Sequence, residues 1–262
     1  MFALWQMGRS LLVGVGNVLA MLSQTVAECL DQIRRGRPVF RMANFFAQTD
    51  RVGFDSIPLV AMVSFFLGLT IALMTGYQLR TFGTDYLVPS LVTIAFTREL
   101  GPLMTGIVVA ARVGAAYTAE LGTMTVSEEV EAIEGMGLGP LRFLVGPRLA
   151  AIVTQLPCLS VISVLSALLG CWVVCQTYLQ ISWPYFQELV INSLYVKDII
   201  TGVVKCLLFG TIVGLVGCYK GLTVRGGAAG VGTATTDSVV TSITATIFFD
   251  TIVNVIVTIA FE

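Results

Sequence analysis

IPLVAMVSFFLGLTIALMTGYQL, residues Ile57 to Leu79, carries no charged side chain. About 20 apolar residues, rising 1.5 Å each in a helix, cross the ~30 Å hydrocarbon core of a bilayer. In that core each backbone N–H and C=O must be bonded internally, so an unbroken apolar run of this length reads as a helix. Four more stretches follow the same pattern. Leu87–Leu121 is mostly apolar, interrupted by Arg98, Glu99, Arg112 and Glu120. Leu149–Leu179 has Pro157 inside it, Val196–Tyr219 contains Lys197, Asp198 and Lys205, and Ser238–Phe261 contains only Asp250. The sequence therefore predicts an all-α integral membrane protein with five transmembrane helices.

Composition agrees. Of 262 residues, 56% are hydrophobic and 12% charged, with mean hydropathy +0.87. A soluble domain is about 25% charged, so an ordinary soluble enzyme and a disordered chain are both excluded. The 15 basic and 16 acidic residues leave a net charge of -1, with no electrostatic footprint for nucleic acid. There is no histidine, which removes Ser-His-Asp and Cys-His chemistry and imidazole metal ligation. The six cysteines, Cys29, Cys158, Cys171, Cys175, Cys206 and Cys218, include no CxxC pair. Cys171 and Cys175 share one helix face, where free cysteine packs as a small apolar group.

Residues 1–50 differ from the rest. Phe2–Leu30 is apolar with Arg9, Gln24 and Glu28 spread along it, followed by Arg34, Arg35, Arg37 and Arg41. This reads as an N-terminal interfacial amphipathic helix held by arginines at lipid phosphates. A sixth span or an uncleaved signal sequence is the rival reading, although Met1–Ala20 lacks a basic start and a clear cleavage site. The whole chain is then one domain, with residues 57–261 as the five-span core. Placing the N-terminus in the cytoplasm puts Arg9, Arg34, Arg35, Arg37, Arg41, Arg51, Arg112, Arg142, Arg148, Lys220 and Arg225 inside. Only Arg80 and Lys197 fall outside, as the preference of basic residues for the cytoplasm requires. Five spans without half-to-half similarity do not suit the internal repeats of secondary transporters. Two copies around a two-fold axis would supply a fuller wall.

One cytoplasmic loop stands out. Thr125–Pro147 reads TVSEEVEAIEGMGLGPLRFLVGP. Ser127 caps a short amphipathic helix over about 127–137, with Glu128 and Glu129 in the first turn where the helix dipole favours acid. Val130, Ile133 and Met136 make an apolar stripe beside Glu131 and Glu134, and Gly135, Gly137, Gly139 and Pro140 end the helix. A solvated loop helix and a docking element for a soluble partner both fit these residues.

The blocks Arg98-Glu99-Leu100-Gly101-Pro102, Ala111-Arg112-Val113-Gly114-Ala115-Ala116 and Thr118-Ala119-Glu120-Leu121-Gly122-Thr123-Met124 precede this helix, and Pro147-Arg148 follows it. In this order, over about 50 residues, they resemble the MlaE family, permease subunits of ATP-binding-cassette lipid transporters. The resemblance implies a homodimeric permease on two ATPase subunits and a periplasmic MCE-type lipid-binding partner. It places the chain in a bacterial inner membrane or, alternatively, a plastid inner envelope. It makes Glu128, Glu129, Glu131, Ile133, Glu134 and Met136 the elements that couple to the ATPase. The chain has no GxxxxGK[ST] phosphate loop of its own, so ATP and magnesium would belong to the partner and no cofactor to this chain. Gly226–Gly232 reads as a flexible inner loop.

Charges inside spans are costly and face protein or water. Arg98 and Glu99 lie ~17 Å into the second span and point about 100° apart, so they do not pair side by side. With the resemblance, they read as the wall of a lipid path, Arg98 meeting a phosphate. Leu73, Met74 and Tyr77 extend that path, because Gly76-Tyr77 matches the family at the outer end of its first span. Lys205, ~12 Å from the outer side, and Asp250, ~18 Å from the inner side, reach one depth in a ~30 Å core, which predicts a contact between the last two helices. An alternative use of Glu99, Lys205 and Asp250 is an ion-coupled carrier. Ala110, Gly114, Thr118 and Gly122, with Ala111, Ala115 and Ala119, form small-residue stripes for close helix packing.

Overall fold

The computed structural model describes residues 42–137 and 139–261, together with Gly16, residues 20–25 and Ala27. The interfacial helix expected within residues 1–50 lies mostly outside them, as do Cys29, Arg9, Arg34, Arg35, Arg37 and Arg41. Among the described residues there is no strand, and five helical segments are long and apolar enough to span a membrane.

Helix α1, Met42–Val52, leads through a 3₁₀ turn into α2, Ile57–Arg80. Helix α3 has three α-helical pieces, Val88–Ala95, Gly101–Val109 and Ala115–Val126, joined by π-helical turns at Phe96–Leu100 and Ala110–Gly114. The short α4, Glu129–Gly135, connects it through a π turn at Leu141–Val145 to α5, Gly146–Thr177. Helix α6, Trp183–Asn192, precedes α7, Val196–Leu222, and the long α8, Gly227–Phe261. The chain alternates direction, so α4 lies at one end of the bundle and α6 at the other.

Two features were not legible as helix. Gly226–Gly232, expected as a flexible loop, is mostly the first turns of α8. Only Gly226 and Gly227 take positive φ, +94° and +69°, at the turn itself. Beyond them Val231 packs over Gly122, where an added Cβ would meet its Cγ atoms at 3.4 and 3.5 Å, and tertiary contact outweighs the low helix propensity of glycine. Helix α6 was missed. Its signal is Ser182 followed by Pro184, a cap position and a proline in the first turn.

Two of the three π turns have a sequence cause. FTREL precedes Gly101-Pro102, and LRFLV precedes Gly146-Pro147. A proline has no N–H to give the carbonyl four residues back, and its ring crowds that carbonyl. The preceding glycine N–H bonds five residues back instead, Gly101 to Phe96 and Gly146 to Leu141, which widens the turn.

Lipid offers apolar side chains no gain over each other, so packing rests on close backbone approach and hydrogen bonds. Helix α7 is central. Over half (56%) of its apolar window is buried, against 22% for the first span and 17% for α8. Gly114 and Gly217 face each other across α3 and α7, and Thr118 Oγ1 donates to Gly217 O at 3.0 Å. The stripe Ala110, Gly114, Thr118 and Gly122 is buried at this contact, while Ala111, Ala115 and Ala119 lie on a more open face. Helices α2 and α5 form the broadest pair. Ser64 and Ser163 share a buried hydroxyl hydrogen bond of 2.7 Å between them.

Candidate functional site

Three helices bring ionisable groups together inside the bundle. Lys205 of α7 is fully buried, and its Nζ lies 2.6 Å from Glu99 Oε2 and 2.9 Å from Asp250 Oδ1. Asn254, one turn beyond Asp250, accepts from Lys205 through Oδ1 at 2.5 Å and donates from Nδ2 to Glu99 Oε2 at 3.0 Å. Sequence spacing pointed to Lys205 with Asp250 alone. The structure adds Glu99 and Asn254, making one ammonium against two carboxylates. Asn254 had a signal in its four-residue offset from Asp250, but an uncharged amide in an apolar run does not announce itself.

The neighbours Arg98 and Glu99 part company. Glu99, its side chain 30% exposed, is tied into the Lys205 cluster. Arg98 is half-buried and makes no hydrogen bond or ion pair among the described residues. A guanidinium left free on a π turn at span depth is available to an anion.

A second network fastens the α4 end of the bundle. Glu120 accepts from Arg148 at 3.0 Å and from Arg51 at 3.0 Å. Arg112 bonds Ser56 Oγ at 2.6 Å and lies 3.4 Å from Asp55. Arg148 also donates to Leu144 O at 2.9 Å and sits over the Tyr117 ring. The arginines and the acid of the RVGAA, AELG and Pro147-Arg148 blocks thus staple α1, α3 and α5 beside α4.

On α4 the structure corrects three expectations. The helix has seven residues, not the span about 127–137. Ser127 does not cap it: its Oγ donates to Thr123 O at 2.8 Å, and Glu128 holds the cap position with φ +61°. Ile133 is buried against the chain's own core, which takes it off the exposed face of α4. Glu128, Glu129, Glu131 and Glu134 are exposed, and so is Met136, at 68%. The acid face is presented and the apolar stripe is split.

Leu73, Met74 and Tyr77 are exposed near the α6 end of α2, Met74 at 64% and Tyr77 at 69%. A cavity of about 420 Å³ lies elsewhere, between α1 and α5, lined by Phe46, Thr49, Ile57, Gln155, Leu159 and Ile162 among others. The described cysteines are free, with Cys171 and Cys175 Sγ atoms 3.8 Å apart, and the described residues hold no cluster of metal-ligating groups.

Comparison with known proteins covers most of this architecture. A probable ABC transporter permease protein of Rickettsia typhi is 35% identical over 206 residues, 79% of this chain and 80% of the relative. One from Synechocystis is 34% identical over 77% of each chain. The chloroplastic protein trigalactosyldiacylglycerol 1 of Arabidopsis thaliana is 31% identical over 80% of this chain and 60% of its own length. The family described as permease MlaE matches residues 45–256, from α1 to the last turns of α8 and including every charged residue of both networks, and this chain belongs to that family.

Proposed function

We propose that the protein is the membrane subunit of an ATP-driven lipid transporter, with phospholipid as the substrate class. The observation that carries this is the family match running through a five-span bundle that has no phosphate loop of its own. In this reading two copies pair through exposed apolar surface, with the α4 end in the cytoplasm of a bacterial inner membrane. An MCE-type partner exchanges lipid on the opposite side. Leu73, Met74 and Tyr77 supply apolar wall for acyl chains, and Arg98 supplies the cation for a headgroup phosphate. A polar solute would need more hydrogen-bonding groups along such a path.

Hydrolysis by separate ATPase subunits would enter through α4. Its exposed carboxylates offer a charge-bearing docking face, while buried Ile133 anchors the helix to the bundle that must move. Replacing Glu128, Glu129, Glu131 and Glu134 together by Lys is expected to abolish co-purification of the ATPase while membrane insertion persists. Normal assembly of that variant would remove the docking role.

Transport itself is tested in proteoliposomes carrying a fluorescent phospholipid. Vanadate-sensitive, ATP-dependent lipid movement is expected, whereas vanadate-insensitive movement driven by an ion gradient would favour a carrier using Glu99, Lys205 and Asp250. In the same assay Arg98→Gln is expected to weaken retention of anionic phospholipid by about tenfold, the scale of one charge-assisted hydrogen bond to phosphate. Unchanged retention would take Arg98 off the path.

A further inference from the structure

The buried face of α8 carries a polar residue at every fourth position: Ser238, Ser242, Thr246, Asp250 and Asn254. At 1.5 Å per residue this column is about 24 Å long, most of a bilayer core. Ser238, Ser242 and Thr246 are wholly buried, and none of their hydroxyls has a hydrogen-bond partner. A helical hydroxyl normally bonds the carbonyl one turn back. Thr235, Thr241, Thr244 and Thr251 on the same helix do so, at 2.6 to 3.1 Å. Ser238, Ser242 and Thr246 do not make that bond, although they are the buried ones.

What they face is small. Contacts of Gly122 with Val231 and of Gly106 with Thr246 fix an antiparallel register between α3 and α8. The same register sets Ala110 opposite Ser242 and Gly114 opposite Ser238. A Cβ added at Gly114 would meet only Val213 within 4 Å. Unpaired hydroxyls buried along this seam are groups that bound water satisfies. The seam ends on Lys205, Glu99, Asp250 and Asn254, where one cation meets two carboxylates.

We propose that Ser238, Ser242 and Thr246 hold a file of bound water between α3 and α8. The file runs from the buried Lys205 cluster toward the α4 end, as far as Ser238. It hydrates the excess carboxylate charge of the cluster. The side chains facing the top of the file are Glu99 from α3, Lys205 from α7, and Asp250 and Asn254 from α8.

X-ray radiolytic footprinting of the full chain in lipid nanodiscs tests this, because radicals formed on a bound water modify the side chain beside it. Phe209 is fully buried and shares the point over Gly106 with Thr246, at 3.3 and 3.4 Å from an added Cβ. Phe209 is expected to be modified on the order of tenfold faster than Leu156, which is equally buried in the dry core. The double substitution Ser242→Ala and Thr246→Val, close to isosteric, is expected to remove most of that difference. Modification of Phe209 no faster than that of Leu156 in the unaltered protein overturns the proposal. So does fast modification that the double substitution leaves unchanged, since the hydroxyls would then hold no water.

Discussion

Lys205→Met is expected to be the most damaging single substitution in the protein. It leaves Glu99 and Asp250 facing each other at span depth with only Asn254 to share, and removing one partner of a buried ionic group costs about 3–5 kcal/mol. Thermal unfolding in nanodiscs reads the loss directly. The acids are not equivalent to the lysine. Asp250→Asn leaves Lys205 paired with Glu99 at 2.6 Å, and Glu99→Gln leaves it paired with Asp250 at 2.9 Å. Either single change lowers the formal charge imbalance of the cluster, so each is expected to cost far less than loss of the lysine. Combining Lys205→Met with Glu99→Gln and Asp250→Asn is expected to recover most of the stability, because no uncompensated charge remains. An isolated Lys205–Asp250 pair would give a different order, with Asp250→Asn as harmful as Lys205→Met. That result would break the three-helix cluster as a unit.

The second large effect is steric. At the crossing of α2 and α5, a Cβ on Gly68 would lie 2.7 Å from both C and Cα of Ala167, and one on Gly170 would lie 2.9 Å from Leu69 N. In both cases the obstacle is backbone, which has no alternative rotamer. Gly68→Val and Gly170→Val are therefore expected to cost at least the upper end of the ~1–3 kcal/mol typical of overpacking. They are also expected to part the two helices enough to lose the Ser64–Ser163 hydrogen bond. Gly232→Ala is the control: nothing lies within 4 Å of its added Cβ, and replacing a helical glycine there is expected to stabilise by up to about 1 kcal/mol. Melting temperatures that fail to separate the two crossing variants from this control would mean the contact is looser than it stands.

Much of this was open to reading because a bilayer imposes a one-dimensional rule. Ile57–Leu79 had to be a helix, and so did the runs around Lys205 and Asp250. Depth followed from counting, which brought those two residues to one level. Azimuth did not. Nothing in the local pattern says that Glu99 turns to α7 while Arg98 stays free, because that depends on which helix α3 meets on each side. The π turn at Phe96–Leu100 also resets the angle between them. Its cause, Pro102 inside the span, was present in the chain. Ile133 shows the same limit at the α4 end: its spacing from Met136 suggested a shared face, and only the neighbouring core decides that one is covered and the other bare. The start of α8 was hidden for the opposite reason, since four glycines between 226 and 232 weaken every local signal that packing against α3 restores.

The separation of Glu99 from its lysine has a consequence during synthesis. The two are 106 residues apart in the chain, and ribosomes add about 5–20 residues per second. An orphan carboxylate therefore waits in the nascent membrane segment for roughly 5–20 s before its counterion emerges. A chain cut short ahead of Lys205 never acquires one and keeps an uncompensated carboxylate in its second span.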